Sequence, residues 1–309
     1  MLRIAFAGTP EFAVPTLQAL ANSSHRLVGV LTQPDRPSGR GRTLGASPIK
    51  QLALQLQLPL SQPPDLRDAA ARAALQSWAP EALVVVAYGL ILPPPVLTLP
   101  RLGCINVHAS LLPRWRGAAP IQRAILAGDT DSGITIMQII QQLDAGPILA
   151  QQSLPIDPQA SAQQLQDQLS SLGAGLLLAT LDEAQQGRLK PRPQPEHGVS
   201  YAPKLDKRDA DIDWGSSAVD IHRQIRALNP APVAQTLLQG RQLRIWEAQL
   251  IDGGASGVAG EILGLEQQQL LVQCGVGRLG LTRLQLAGRR VLSAREFCSA
   301  QGLAGLRLG

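Results

Sequence analysis

Aromatic side chains are scarce: three Phe, two Tyr and four Trp make up 3% of a 309-residue chain. Stacking of bases on an aromatic platform is therefore not the main device open to this protein. Cysteine is nearly absent as well. Cys104, Cys274 and Cys298 are an odd number, widely spaced and without a Cys-x-x-Cys pair, which argues against a disulfide framework and against a zinc site; no metal is expected. Cys104, between Gly103 and Ile105, reads as a small buried hydrophobe. No apolar run approaches the roughly 18 residues that a membrane span needs. Residues 2–7 read as a strand, not as the charged and apolar regions of an export signal, so a cytoplasmic location is expected. Charged residues are thin at 17%, too few for a disordered chain whose hydrophobic fraction is 45%.

What the chain does have is length for two domains and a formal net charge of +5, which suits a polyanionic partner without proving one. Strands expected at residues 2–7, 27–32, 82–87, 103–108, 133–140 and 148–153 alternate with helices at 11–21, 66–78, 120–127 and 160–186. That alternation places the first part in the α/β class, as a Rossmann-like doubly wound, mostly parallel sheet. The first turn, Gly8-Thr9-Pro10-Glu11-Phe12, is not Gly-x-Gly-x-x-Gly: Pro10 stands where a flexible glycine would let a pyrophosphate approach, which disfavours NAD. Prolines 191, 193 and 195 mark an extended linker within 188–208. A helix is expected at 212–228. After it come five short apolar runs, at 235–238, 243–250, 260–265, 269–273 and 279–286, which fit a small OB-like β-barrel. The expected division is a catalytic domain at 1–188, a linker at 189–207 and a C-terminal domain at 208–309.

The chemistry gathers at Gly103-Cys104-Ile105-Asn106-Val107-His108 and the Pro- and Gly-marked loop after it. Side chains alternate along a strand, so Asn106 and His108 share one face while Ile105 and Val107 take the other. An amide and an imidazole then sit together at a strand end, where open α/β sheets place their ligands. Asp144, in the turn Leu143-Asp144-Ala145-Gly146 after the apolar run 133–140, supplies a carboxylate. Taken singly, each has a plainer role: a lone His after an apolar strand is most often packed in the core, and Asp before Gly is a common turn residue.

The combination is more specific. Ser110-Leu111-Leu112-Pro113-Arg114-Trp115-Arg116-Gly117-Ala118-Ala119-Pro120-Ile121-Gln122 resembles the signature of the methionyl-tRNA formyltransferase family. Phe6-Ala7-Gly8-Thr9-Pro10-Glu11-Phe12, Tyr88-Gly89-Leu90-Ile91-Leu92-Pro93 and Tyr201-Ala202-Pro203-Lys204-Leu205 match it too, so the resemblance spans nearly the whole chain. It implies a formyltransferase-type catalytic domain followed by an OB-like tRNA-binding domain. The implied reaction moves the formyl group of 10-formyltetrahydrofolate to the methionine amine of initiator Met-tRNA, in a protein expected to be a monomer. By the same resemblance, Asn106, His108 and Asp144 are catalytic. Ser110, Leu111, Leu112 and Pro113, with Tyr88, Gly89, Leu90 and Ile91, line the folate pocket. Arg36, Arg40, Arg42, Lys50 and Lys204 meet tRNA. Residues 36–50 hold four basic side chains and no acid; on composition alone this is a solvated loop, and the resemblance makes it an arm for the acceptor stem.

Formyl transfer to an amine needs no covalent intermediate, in keeping with the lack of a credible Ser or Cys nucleophile beside a base. Asn106 is assigned as donor to the developing oxyanion and His108 as a proton carrier, with Asp144 setting its tautomer. The nearest alternatives are formyl transfer to glycinamide ribonucleotide or to an amino-sugar nucleotide, and formyl-folate hydrolysis. One departure from the family pattern is Asn229-Pro230-Ala231-Pro232-Val233-Ala234, where an aromatic residue and Gly usually follow the first Pro. It bears on the start of the barrel, not on the catalytic core.

Overall fold

The computed structural model describes residues 1–38, 43–67, 69–253, 257–299 and 303–309. Its contacts divide into two compact units: Met1–Pro120, Asp131–Pro155 and Gln166–Ala202 form the first, and Ile121–Thr130, Ile156–Leu165 and Pro203–Gly309 the second.

In the first unit, strands β1 (Arg3–Gly8) and β2 (Arg26–Leu31) are followed by a hairpin of β3 (Arg36–Ser38) and β4 (Thr43–Gly45). Then come β5 (Leu60–Ser61), β6 (Ala82–Val86), β7 (Cys104–His108), the short β8 (Arg116–Gly117), β9 (Asp131–Gln138), β10 (Ile148–Pro155) and β11 (Tyr201–Ala202). Seven of these make one sheet in the order β10-β9-β7-β6-β1-β2-β5. Its β7, β6, β1, β2 and β5 neighbours run parallel, whereas β9 and β10 are antiparallel. Every residue of β6 is buried, as a strand covered on both faces requires, and its Ala-Leu-Val-Val-Val run supplies β-branched bulk. Successive strands go one way from β1 and the other way from β6, so the strand order reverses between these two. Ligands of such sheets bind beyond the carboxyl ends at that reversal, and β7, next to β6, delivers Asn106 and His108 there.

Two helices of this unit are shorter than their sequence patterns. The helix expected at 66–78 begins at Ala69, because the Asp65 carboxylate takes the Arg67 N–H at 2.8 Å and closes a turn first. The one expected at 11–21 is a 3-10 turn, Glu11–Ala13, followed by an α-helix, Val14–Ala21, with Pro15 in its first turn. The helix expected at 160–186 is continuous over Ala162–Gln185 and buries Leu169, Leu177 and Leu181.

The second unit holds β12 (Ala234–Leu238), β13 (Arg241–Ile251), β14 (Ile262–Glu266), β15 (Gln269–Gln273), β16 (Arg278–Leu286) and β17 (Leu292–Ser293). They form an antiparallel sheet ordered β12-β13-β16-β15-β14, with β17 on β16. The last residues of the chain join its two edges: Leu308 bridges Leu238 at the end of β12, and Arg307 bridges Glu261 just before β14. Ile245, Ile262, Leu279, Leu281 and Leu284 are central to a core that Ile221 and Ile225 of the helix Ala218–Ala227 complete. That helix was expected to start at residue 212. It starts later because Asp213 turns the chain by accepting the Gly215 N–H at 2.9 Å. Trp214 is buried with its indole donating to Thr236 Oγ1, and Ser217 then caps the helix. No helix among the described residues is long and apolar enough to cross a membrane.

Candidate active site

Asn106 and His108 leave the same face of β7, as strand alternation requires. The Asn106 side chain is half-buried, and among the described residues no protein group donates to or accepts from its carboxamide. His108 is 6% exposed, and its Nε2 lies 2.9 Å from the carbonyl oxygen of Trp115. A carbonyl oxygen only accepts, so Nε2 carries a hydrogen and the second ring nitrogen is the one whose protonation can change. That nitrogen, Nδ1, lies 3.8 Å from Asp144 Oδ2. This is ion-pair distance but too long for a hydrogen bond, so a third group has room between them. The tautomer that the sequence reading gave to Asp144 is set instead by the Trp115 carbonyl.

Trp115 has a left-handed backbone, φ 68°, held by bonds on both sides. Its N–H donates to Ser200 Oγ at 3.0 Å. The Ser110 hydroxyl donates to Arg114 O at 2.7 Å. The Arg114 guanidinium lies 4.1 Å over the Trp115 ring. Thr135 on β9, opposite His108 in the sheet register, donates its hydroxyl to Ser110 O at 2.6 Å and accepts from Leu112 N at 3.1 Å. Gln151 on β10 donates to Leu112 O at 2.8 Å. The Ser110 carbonyl and both polar backbone groups of Leu112 thus help hold the loop. Of the stretch, Leu111 and Pro113 keep partial exposure.

Asp144 is also left-handed, φ 46°, a conformation that Asp adopts more readily than most residues. Its Oδ2 accepts the Gly117 N–H at 2.8 Å. Gly117 has φ 116°, and a Cβ there would lie 2.8 Å from the Ala202 carbonyl oxygen, so only glycine fits where β8 pairs with β11. Adjacent Arg116 is buried and donates Nε and Nη2 to Gln194 Oε1 at 3.1 and 2.7 Å. The Gln194 amide in turn donates to Asp144 O at 2.7 Å and Gly146 O at 2.9 Å. Ser200 and Gln194 lie in the stretch that reads as a spacer, and no local pattern marks them.

The Tyr88–Ile91 segment follows β6. Tyr88 itself is a core residue, its ring buried among Ala7, Leu83 and Val96 and its hydroxyl unpartnered; burial pushes the phenol pKa well up. Its carbonyl accepts from Thr9 Oγ1 at 3.0 Å and Gln33 Nε2 at 2.8 Å, so Tyr88 anchors the loop and its ring lines nothing. Gly89 has φ 79°, Leu90 packs on the core and Ile91 is 88% exposed. Among the described residues the backbone amides and carbonyls of Leu90 and Ile91 have no protein partner, the condition needed to bind a pterin edge.

Of the basic arm, Arg40 and Arg42 lie outside the described residues. Arg36 is exposed on β3. Lys50 is paired within the chain: its Nζ lies 2.6 Å from Asp35 Oδ2. The Lys50 ammonium first, and then the Gln62 amide, hold the Asp35 carboxyl below its usual range. The Lys50 charge is therefore partly compensated by Asp35, with both side chains partly exposed. Lys204 is exposed in the second unit. That unit also has a cleft of about 670 Å³ lined by Arg289, Arg290, Leu292, Glu296 and Ser299. No cluster of three His, Cys, Asp or Glu able to hold a metal occurs among the described residues. Burial pushes the Cys104 thiol up to about 12, so it is not a nucleophile near neutral pH.

An amide free to donate, an imidazole with one fixed hydrogen, and a carboxylate at the mouth of a doubly wound sheet are groups that can serve acyl transfer. The family described as formyl transferase matches residues 2–181, and the formyl transferase C-terminal domain matches 204–302. A methionyl-tRNA formyltransferase from Methylococcus capsulatus is 51% identical over 308 residues, covering 100% of both chains. The chain belongs to the methionyl-tRNA formyltransferase family. In fold it resembles the solved methionyl-tRNA formyltransferase from Clostridium thermocellum (TM-score 0.57, 15% identity, 82% of this chain and 95% of that one). It also resembles HypX from Aquifex aeolicus in complex with tetrahydrofolic acid (TM-score 0.67, 17% identity, 98% of this chain and 48% of that one).

Proposed function

We propose that this protein transfers the formyl group of 10-formyltetrahydrofolate to the α-amino group of methionine on initiator methionyl-tRNA, in the cytoplasm and without a metal. Full-length identity of 51% to a protein of that name carries the reading, and the His108–Asp144 geometry supplies the chemistry. Residues 1–188 are assigned the reaction and 208–309 the RNA.

The neutral amine attacks the formyl carbon, the carbonyl oxygen gains negative charge, and the tetrahedral intermediate collapses as the C–N bond to the folate breaks. The unpartnered Asn106 amide donates to the developing oxyanion; a single donor of this kind is worth about 10²–10³-fold in kcat. His108 Nδ1 faces the 3.8 Å gap toward Asp144. There it passes the proton lost by the attacking amine to the departing folate nitrogen, while Nε2–H stays on Trp115. Asp144 stabilises the imidazolium through charge across the gap. The unpaired backbone groups of Leu90 and Ile91 are assigned to the pterin. The exposed Arg36 and Lys204, with the arginine-lined cleft of the second unit, are assigned to RNA phosphates.

Incubation with 10-formyltetrahydrofolate and charged initiator or elongator Met-tRNA tests the activity. Formyl-methionine on the initiator is the expected product. Formate release that does not depend on the RNA would establish the hydrolase instead.

A further inference from the structure

We propose that Gln194 is a positioning residue for Asp144, setting the separation across which His108 and the carboxylate act; this rests on the catalytic reading of Asp144 above. One amide ties together both supports of the pair. Arg116 lies between Trp115, whose carbonyl fixes His108, and Gly117, whose N–H holds the Asp144 carboxylate. Arg116 is 6% exposed, and among the described residues its side-chain partner is Gln194 Oε1, at 3.1 and 2.7 Å. A buried charge donating to one end of an amide polarises it and strengthens its N–H groups as donors. Those N–H groups bond Asp144 O at 2.7 Å and Gly146 O at 2.9 Å, the turn in which Asp144 is kept left-handed.

Only a side chain with both an acceptor and two donors completes this relay, which Gln provides and Glu does not. The stretch around Gln194 is itself fastened to the first unit. Arg192 exchanges two backbone bonds with Ile148 at 2.7 and 2.9 Å. Ser200 accepts the Trp115 N–H on its hydroxyl and the Arg116 N–H on its carbonyl. Gln194 therefore reaches the Asp144 turn from a fixed base.

The test is Gln194→Glu alone and on an Asp144→Ala background. Glu keeps the acceptor for Arg116 and removes both donors to the turn. The expected result is kcat lower by about tenfold or more, with KM for formyl-folate and Met-tRNA within about twofold and the melting temperature close to wild type. On the Asp144→Ala background the substitution should change kcat by less than about twofold, because the group it positions is gone. Wild-type kcat in Gln194→Glu, or an equal loss with and without Asp144, overturns the proposal. Wild-type kcat in Asp144→Ala overturns the catalytic reading beneath it. Should Gln194→Glu fail to fold, Gln194→Met, which also removes the acceptor for Arg116, is read by its loss with Asp144 present against its loss without: an equal loss overturns the proposal.

Discussion

The Nε2 of His108 and the main-chain oxygen of Trp115 are 2.9 Å apart, seven residues along the same loop. That contact decides which ring nitrogen is free to exchange a proton. It depends on a non-glycine residue held at φ 68°, a conformation that costs energy and persists only where surrounding bonds enforce it.

Asn106 is the residue whose loss should be felt in the chemical step alone. Asn106→Ala is expected to lower kcat by about 10²–10³-fold and leave the folate KM within about threefold, because an oxyanion donor acts only once charge develops. Steady-state kinetics at saturating Met-tRNA measure both. A loss confined to KM would assign Asn106 to binding.

Gly146 has no room for a side chain: a Cβ would lie 1.8 Å from Gln138 O, which is backbone. Gly146→Ala must therefore displace the Asp144 turn. Unfolding free energy should drop by about 1–3 kcal/mol, with a fall in kcat larger than that loss explains at the assay temperature. Urea denaturation together with turnover checks this, and unchanged values for both would contradict the packing.

Arg36 and Lys50 should separate by salt dependence. Arg36→Ala removes an exposed charge and is expected to reduce the slope of log KM for tRNA against log salt by about one. Lys50→Met removes a charge already paired with Asp35; the slope should hold while stability falls. Equal slopes for wild type and Arg36→Ala would take Arg36 out of RNA binding.

His222 makes stability depend on pH. Burial, and then the Arg226 charge, push its pKa down to about 4, and its Nε2 has no hydrogen-bond partner. An ordinary His in the unfolded chain titrates near ~6.5. Between these values the unfolded state binds a proton that the folded state refuses. The stabilisation is thus full above ~6.5 and is lost as pH falls toward about 4. Denaturant unfolding at pH values across that window should show ~3 kcal/mol of extra loss in wild type relative to His222→Leu. Parallel curves for the two proteins would show that His222 is not the titrating group.

The sheet was legible because its signals are local. Ala82–Val86 is apolar throughout, Asn106 and His108 alternate with Ile105 and Val107, and Asp144 follows an apolar run into a Gly turn. The long helix was legible from its leucine spacing to within two residues at its start. The supports of the site were not. Trp115 acts through its carbonyl and Gly117 through its N–H, and every residue has those groups. Gln194 lies 50 residues from Asp144 in a Pro-marked stretch whose composition says only that it is extended. The pairing of Lys50 was not legible because charge counts over 36–50 omit Asp35, one residue outside the window. The helix start near 212 was misplaced because Asp213 and Ser217 settle it by side-chain bonds that apolar periodicity does not register.

The most direct measurement is the single-turnover rate of formyl transfer to initiator Met-tRNA by wild type and His108→Ala, each with enzyme in excess over the Met-tRNA and formyl-folate saturating. The geometry predicts that the variant binds both substrates and forms formyl-methionine about 10²–10⁴-fold more slowly. A single-turnover rate equal to wild type would mean that His108 is held at Trp115 for packing alone.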